Sequence, residues 1–286
     1  MPTKQVIYAQ KTAKLIKQAQ SLTKENIRDI LRLLEDTRRE VGNMVATTDW
    51  QLYNLTSLKN NTDKIIKEFK AMYVNILDDA DKRFWGLGVD FVDESLKTAG
   101  LILPLPDVDM KLLSVLQGYS SDLITGLTDE AIKNINSQIT LSLMGGKSPY
   151  DAMKAIGRNL NGKSVFSSIG ARAEAIATTE MNRALSMAEQ ARLEEASKNV
   201  EGMEKQWFHS SYVRNPRSAH VEMDGVHVPV NEPFIIIDAD GTEVKMMMPR
   251  DPGTTPAAYA ARHSISCHCY IMPYNARWEA FEKEMM

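Results

Sequence analysis

The sequence predicts an α+β fold: a long helical N-terminal body followed by a small β-containing C-terminal module. Three observations carry this reading. Apolar residues recur at three- and four-residue steps from the N-terminus to about Asn199. After Gly202 the period shortens to two, the signature of half-buried strands. The stretch Trp207 to Pro273 then gathers all five histidines, both cysteines, two Asp-Gly turns and most of the prolines. The expected organisation is a helical partner-docking region over 1–105, a second helical region over 106–202, and a β-rich module over 203–286.

Taken in order, residues 4–45 read as one long helix, with Leu15, Ala19, Leu22, Ile27, Ile30, Leu31 and Leu34 on one stripe among good helix formers. A second helix is expected over 50–73, with Leu52, Leu55, Leu58, Ile65, Ile66, Phe69 and Tyr73, packing on the first as a hairpin. A third is expected over 78–100. Leu101 to Asp109 contains Pro104 and Pro106, each of which turns its predecessor away from helix, so this is a connector. Thr128 reads as an N-cap followed by Asp129 and Glu130 at the positive helix end. The stripe Ile132, Ile135, Ile139 and Leu143 ends at Gly145-Gly146. Ser148, Pro149 and Asp151 then start a short helix running to about Leu160 and stopping near Gly162. Ile169 to Asn199 is a further long helix. Beyond it, Lys205 to Ser211 reads as a strand, and Val226, Val228 and Val230 alternate after Asp224-Gly225. Phe234–Ile237 and Val244–Met248 form a hairpin around Asp240-Gly241, and Ile265 to Met272 is a last strand. An amphipathic tail with Trp278 and Phe281 follows.

Of the 286 residues, 43% are hydrophobic and 25% charged, enough for a core and for two domains. No run approaches the roughly 18 apolar residues that span a bilayer, so no membrane association is expected. Met1 to Gln10 has no apolar signal core, and two cysteines in so long a chain fit a reducing compartment. A net charge of −3 argues against indiscriminate coating of DNA. The charge is uneven. Residues 1–39 carry nine Lys/Arg against four Asp/Glu, and residues 78–130 carry four against eleven. Such asymmetry can orient a protein on a charged partner, although a solvated helix face gives the same pattern.

Cys267 and Cys269 would point to one side of the last strand, because side chains alternate along a strand, and His268 would point away. Thiolate and imidazole suit zinc. His220 is the expected third group and His263 or His227 a fourth, giving a structural metal clip. The competing expectation is buried reduced thiols and ordinary histidines, since common zinc motifs use Cys-x-x-Cys.

The order of elements says more than any pair. It runs Trp207, Arg214-Asn-Pro-Arg217-Ser-Ala-His220, Met223-Asp224-Gly225, Pro233-Phe234, Pro249-Arg-Asp-Pro252-Gly253 and Ser266-Cys267-His-Cys269. Upstream stand Ile124-Thr-Gly-Leu-Thr128, Gly145-Gly146-Lys-Ser-Pro-Tyr-Asp151 and Ala171-Arg-Ala-Glu-Ala-Ile-Ala-Thr-Thr-Glu180. Over residues 120–275 this resembles the phage Mu F-like minor head proteins, the phage head morphogenesis family. Trp207, Arg217, Asp224, Gly225 and Glu180 are the motif residues that the resemblance singles out. The family's Ala-Arg-Thr-Glu is Ala177-Thr-Thr-Glu180 here, and its Asn-Cys-Arg-Cys is Ser266-Cys267-His268-Cys269. These departures bear on any charge network at those positions.

The resemblance implies a non-enzymatic minor capsid protein of a tailed phage, located in the virion head and assembled in the host cytoplasm. Its expected partners are the portal protein, then scaffold or major capsid protein, with non-specific DNA contact through the basic N-terminal segment. The long N-terminal helices, outside the resemblance, would carry docking over residues 4–75. The alternative is a zinc-dependent hydrolase of the deaminase kind. His220-Val-Glu222 has the His-x-Glu form, but Ser-Cys-x-Cys lacks the proline and one residue of Pro-Cys-x-x-Cys. Glu222 beside His220 and both cysteines would favour that alternative.

Overall fold

The computed structural model describes residues 4–51, 54–157, 165–210 and 215–276. It has the predicted α+β class. Five helices come first: α1 (Lys4–Thr47), α2 (Leu55–Thr98), α3 (Lys111–Leu143), α4 (Pro149–Gly157) and α5 (Val165–Ser197). The module follows, with β1 (Glu204–Phe208), α6 (Ser218–Glu222), β2 (His227–Pro229), β3 (Phe234–Ile237), β4 (Glu243–Met246), a 3₁₀ turn at Ala257–Tyr259, α7 (Ala260–Ser264) and β5 (Tyr270–Tyr274). Leu52, Arg214, the stretch from Leu160 to Gly162, and Trp278 and Phe281 lie outside the described residues.

Two helix expectations are corrected. The helices expected over 50–73 and 78–100 are one helix, α2. The acidic run Asp78-Asp79-Ala80-Asp81 between them contains no proline or glycine, so nothing interrupts the backbone ladder. Thr128 is not an N-cap either. It sits inside α3, and its hydroxyl donates to the carbonyls of Ile124 and Thr125, each at 3.0 Å. This is the back-bonding of an interior threonine, which satisfies the hydroxyl without ending the helix. The other helix signals hold. α3 ends before Gly145-Gly146, and Ser148 caps α4: its hydroxyl accepts the Asp151 N–H at 3.1 Å and donates to the Asp151 carboxylate at 2.7 Å. The connector 101–109 is irregular, as its prolines require.

The described chain falls into two compact units. One comprises Thr23–Asp79 and Gln117–Ala177. Its core holds Ile30, Leu34, Val41 and Val45 of α1, Ile66, Phe69 and Tyr73 of α2, and Ile124, Ile135 and Ile139 of α3. Tyr73 keeps its hydroxyl satisfied there by donating to the Ala173 carbonyl at 2.6 Å. The other unit comprises Met1–Leu22, Ala80–Leu116 and Thr178–Met286. These units are a different partition from the chain-order division at 105 and 202.

The second unit contains the β module. Its sheet has the order β2-β1-β5, all antiparallel, with Trp207 opposite Ile271 and Lys205 opposite Val228 and Pro273. β3 and β4 form a separate hairpin with Phe234 opposite Met246. One core runs under both: Val92 and Leu96 of α2, Leu193 and Ala196 of α5, Trp207, Phe234, Ile236, Val244, Met246, Cys267, Cys269 and Ile271. Leu101, Leu103 and Leu105 of the connector pack against it. Arg192 of α5 fastens the connector by pairing with Asp93 at 2.6 Å and donating to the Pro106 carbonyl at 2.6 Å. The β-strand expectation for 265–272 is shortened by the structure, because β5 begins only at Tyr270. The carbonyls that a ladder would use are taken by guanidinium groups: Arg217 donates to Ile265 and Arg250 to Cys267. Ser266 takes a positive φ of 53°.

Candidate metal centre

The centre is assembled from α6 and the irregular segment just before β5. The short helix α6 presents His220 inward, 2% exposed, while Cys267 and Cys269 are 2% and 3% exposed. Both sulfurs face the His220 ring although neither cysteine lies in a strand. His220 Nδ1 lies 3.5 Å from Cys267 Sγ and 3.6 Å from Cys269 Sγ. The three donor atoms lie within 4.8 Å of one another, and both thiols are free. Two sulfurs thus share one nitrogen lone pair.

The other face of His220 is held as well. Its Nε2 lies 3.0 Å from His263 Nδ1, and the ring planes are 16° apart. His263, on α7, is 1% exposed, and its Nε2 faces Asp238 Oδ1 at 3.7 Å. Asp238, just past β3, also pairs with Arg262. Burial first, and then the His220 ring, push the His263 pKa below the usual imidazole value. With its Nε2 turned toward Asp238, His263 is set to accept at Nδ1, and His220 then donates from Nε2 and keeps Nδ1 free toward the sulfurs. Trp207 forms the wall, edge-on to His220 at 5.3 Å and to Phe234 at 5.2 Å. The two thiols are unequal. Hydrogen bonding from Cys269 holds Cys267 well below the usual thiol range, helped by His220 and Arg250 against burial. The same pairing, then burial, pushes Cys269 up.

The structure therefore brings His220, Cys267 and Cys269 together. His263 sits behind His220 and not beside the sulfurs. His227 is elsewhere: it pairs with Glu204 and stacks on Tyr274 at 4.0 Å. Glu222 is exposed. Two residues along a helix rotate a side chain by about 200°, so the carboxylate of His-x-Glu leaves the site as the imidazole enters it. Glu222 therefore does not stand beside the sulfurs, where the His-x-Glu reading would need it.

The remaining motif residues frame the centre. Arg217 donates to the carbonyls of Arg262 and Ile265, tying the start of α6 to α7. Asp224 accepts the His209 N–H at 2.8 Å, and Gly225, at φ 81°, donates to the Trp207 carbonyl at 2.9 Å. A left-handed residue is needed at that turn, and glycine supplies it without a steric penalty. Glu180 pairs with Arg183, whose Nε donates to the Arg250 carbonyl at 2.9 Å. Residue 178 is Thr178, and the cation that pairs with Glu180 is Arg183. Sequence reading missed Arg250 and Glu189. Arg250 is fully buried, donating to the Cys267 carbonyl at 2.8 Å and to the Ser186 hydroxyl. Glu189, also fully buried, accepts the Ile271 N–H at 3.3 Å. Burial raises its pKa well above the carboxylate range, opposed by Arg250. The signal for Arg250 was its place in Pro249-Arg-Asp-Pro252-Gly253, where Asp251 closes the turn on the N–H groups of Met247 and Gly253 at 2.7 Å each.

Residues 133–272 match the family model for Phage Mu protein F like protein. A curated protein, "Uncharacterized protein YqbB" of Bacillus subtilis (strain 168), is 31% identical over 97 residues, or 34% of this chain. The match covers 29% of that relative's length. No solved structure matches the chain. The matched stretch begins in α3, ends in β5 and encloses the whole His220–Cys267–Cys269 centre with the side chains that frame it. Residues 133–272 thus form a region of the phage Mu F-like head morphogenesis kind.

Proposed function

We propose that the protein is a minor component of a tailed-phage head, incorporated with the portal during procapsid assembly in the host cytoplasm. The observation that carries this is the family match over residues 133–272. The build of the chain agrees with a scaffold role. The buried charges of the matched region are spent on holding backbone segments together, and Glu222 faces away from the only His/Cys cluster among the described residues. Among those residues no helix is long and apolar enough to cross a membrane.

Docking belongs on α1 in this reading. Lys14, Lys17 and Arg28 are exposed on that helix, in the segment where basic residues outnumber acidic ones. These cations suit an acidic surface on the portal, with scaffold or major capsid protein as further partners. The same side chains would give non-specific DNA contact, recognisable by a steep fall in affinity with salt. Removing residues 4–75 outright would strip Ile30, Leu34, Phe69 and Tyr73 from a core, so surface substitutions are the sharper probe.

The test is co-expression with the portal protein of the same phage, followed by size-exclusion chromatography. The intact chain should co-elute with the portal. The Lys14→Glu, Lys17→Glu, Arg28→Glu variant should elute separately with an unchanged melting temperature. Separate elution of the intact chain would contradict portal association. Co-elution of the variant would move docking off α1.

A further inference from the structure

We infer that His220, Cys267 and Cys269 bind one zinc ion, and that Asp238 and His263 orient the ligand set from behind. This stands independently of the head-assembly reading. Zinc–sulfur bonds of about 2.3 Å and zinc–nitrogen bonds of about 2.0 to 2.1 Å, set at a tetrahedral angle, separate sulfur from nitrogen by about 3.5 to 3.6 Å. The two separations here are 3.5 and 3.6 Å. A thiol hydrogen bond to imidazole would select one sulfur, because Nδ1 has one lone pair. Two equidistant sulfurs on that lone pair are instead the arrangement of donors converging on a common point.

The chemistry behind the ligands agrees. A metal-bound histidine ordinarily donates its second ring N–H to a hydrogen-bonded partner, which fixes the tautomer. His220 has that partner in His263 at 3.0 Å, and His263 is followed by the Asp238 carboxylate. The His263 ring, with the Asp238 carboxylate 3.7 Å beyond it, thus holds Nδ1 toward the sulfurs. Arg250, donating to the Cys267 carbonyl, places a buried positive charge beside the two thiolates. Among the described residues no fourth histidine, cysteine or carboxylate joins the cluster. The ligand set that the described residues supply is therefore one nitrogen and two sulfurs. Binding releases the protons carried by the thiols to solvent and leaves two thiolate–zinc bonds, so affinity falls with acid. The ion joins α6 to a segment 47 residues away in the chain, and its binding energy acts as folding energy.

The test uses the full chain, expressed without a polyhistidine tag and purified under reducing conditions without chelator. Mass-spectrometric metal analysis should give one zinc per chain. X-ray absorption at the zinc edge should show two sulfur neighbours among four. Zinc stripped by chelator should be replaceable by cobalt(II), giving the absorption of a tetrahedral thiolate site. The His263→Phe variant, which leaves all three ligands in place, should bind zinc about 10- to 100-fold more weakly in chelator competition. Metal-free protein that takes up no cobalt into a thiolate environment overturns the inference. So does a zinc surrounded only by nitrogen and oxygen, or unchanged affinity in the His263 variant. All of these readings use protein in which the three ligands are intact.

Discussion

Single residues in the module hold backbone in place with charges that a helix face would normally expose. Arg250 is the clearest case, fully buried among the Cys267 carbonyl, the Ser186 hydroxyl and the Glu189 carboxylate. Removing one partner of a buried ionic cluster typically costs about 3 to 5 kcal/mol. Arg250→Met should lower unfolding free energy by that order in urea titrations, and a loss under about 1 kcal/mol would show that the network carries little. Lys205 gives a pH signature. It is fully buried, with its ammonium donating to Gln190 and to the Met247 carbonyl at 2.7 Å. Burial lowers its pKa from 10.5 to about 8, against the pull of Glu194 and Asp251. Because the folded state disfavours the charged form, Lys205 weakens the fold below about pH 8, and that cost disappears as pH rises toward 10.5. Stability of the wild type relative to Lys205→Met should therefore climb across this window by about 3 kcal/mol. A flat difference would place the ammonium in contact with water. The centre itself was legible in residue types, since few side chains besides histidine and cysteine suit zinc. His263 and Asp238 behind it were not, because their roles depend on α7 folding back beside β3.

At the scale of elements, helices were legible wherever apolar periodicity ran without a breaker, and their ends wherever a cap or a glycine pair stood. The errors have one cause. Between 73 and 78, and again at Thr128, polar residues that suit a helix end lie inside a helix, because neighbours in sequence offered no competing turn. α5 hid its function for the opposite reason. Its buried face includes Glu180, Arg183, Ser186 and Glu189, so a search for apolar stripes sees only scaffold. The contact between α2 and α5 has a sharp test. A Cβ at Gly88 would lie 2.3 Å from the Leu185 carbonyl oxygen and 2.8 Å from the Ala188 Cβ, whereas at Gly86 nothing lies within 4 Å. Gly88→Ala should destabilise by about 1 to 3 kcal/mol, because backbone must move. Gly86→Ala should stabilise by up to about 1 kcal/mol, as alanine does in a helix interior. Equal effects would mean that the helices are not in close contact at Gly88.

At the scale of the molecule, the order of short motifs identified the family where no single motif would have. Each motif now has a mechanical reason: Asp224-Gly225 turns the chain beside β1, Pro249–Gly253 delivers Arg250, and Ser266–Cys269 supplies two sulfurs. The grouping into two compact units was not legible, because α1, α2, α3 and α5 each contribute residues to both. Chain order and spatial grouping diverge whenever helices are this long. The central claim is that this chain belongs in the phage head. Quantitative mass spectrometry of purified procapsids and mature heads tests it most directly, with particles from a strain lacking the gene as control. The account predicts the chain in both particle types at a fixed ratio to the portal protein, and its loss from particles carrying the α1 charge-reversal variant. Its absence from heads, while the lysate contains it in abundance, would contradict the account.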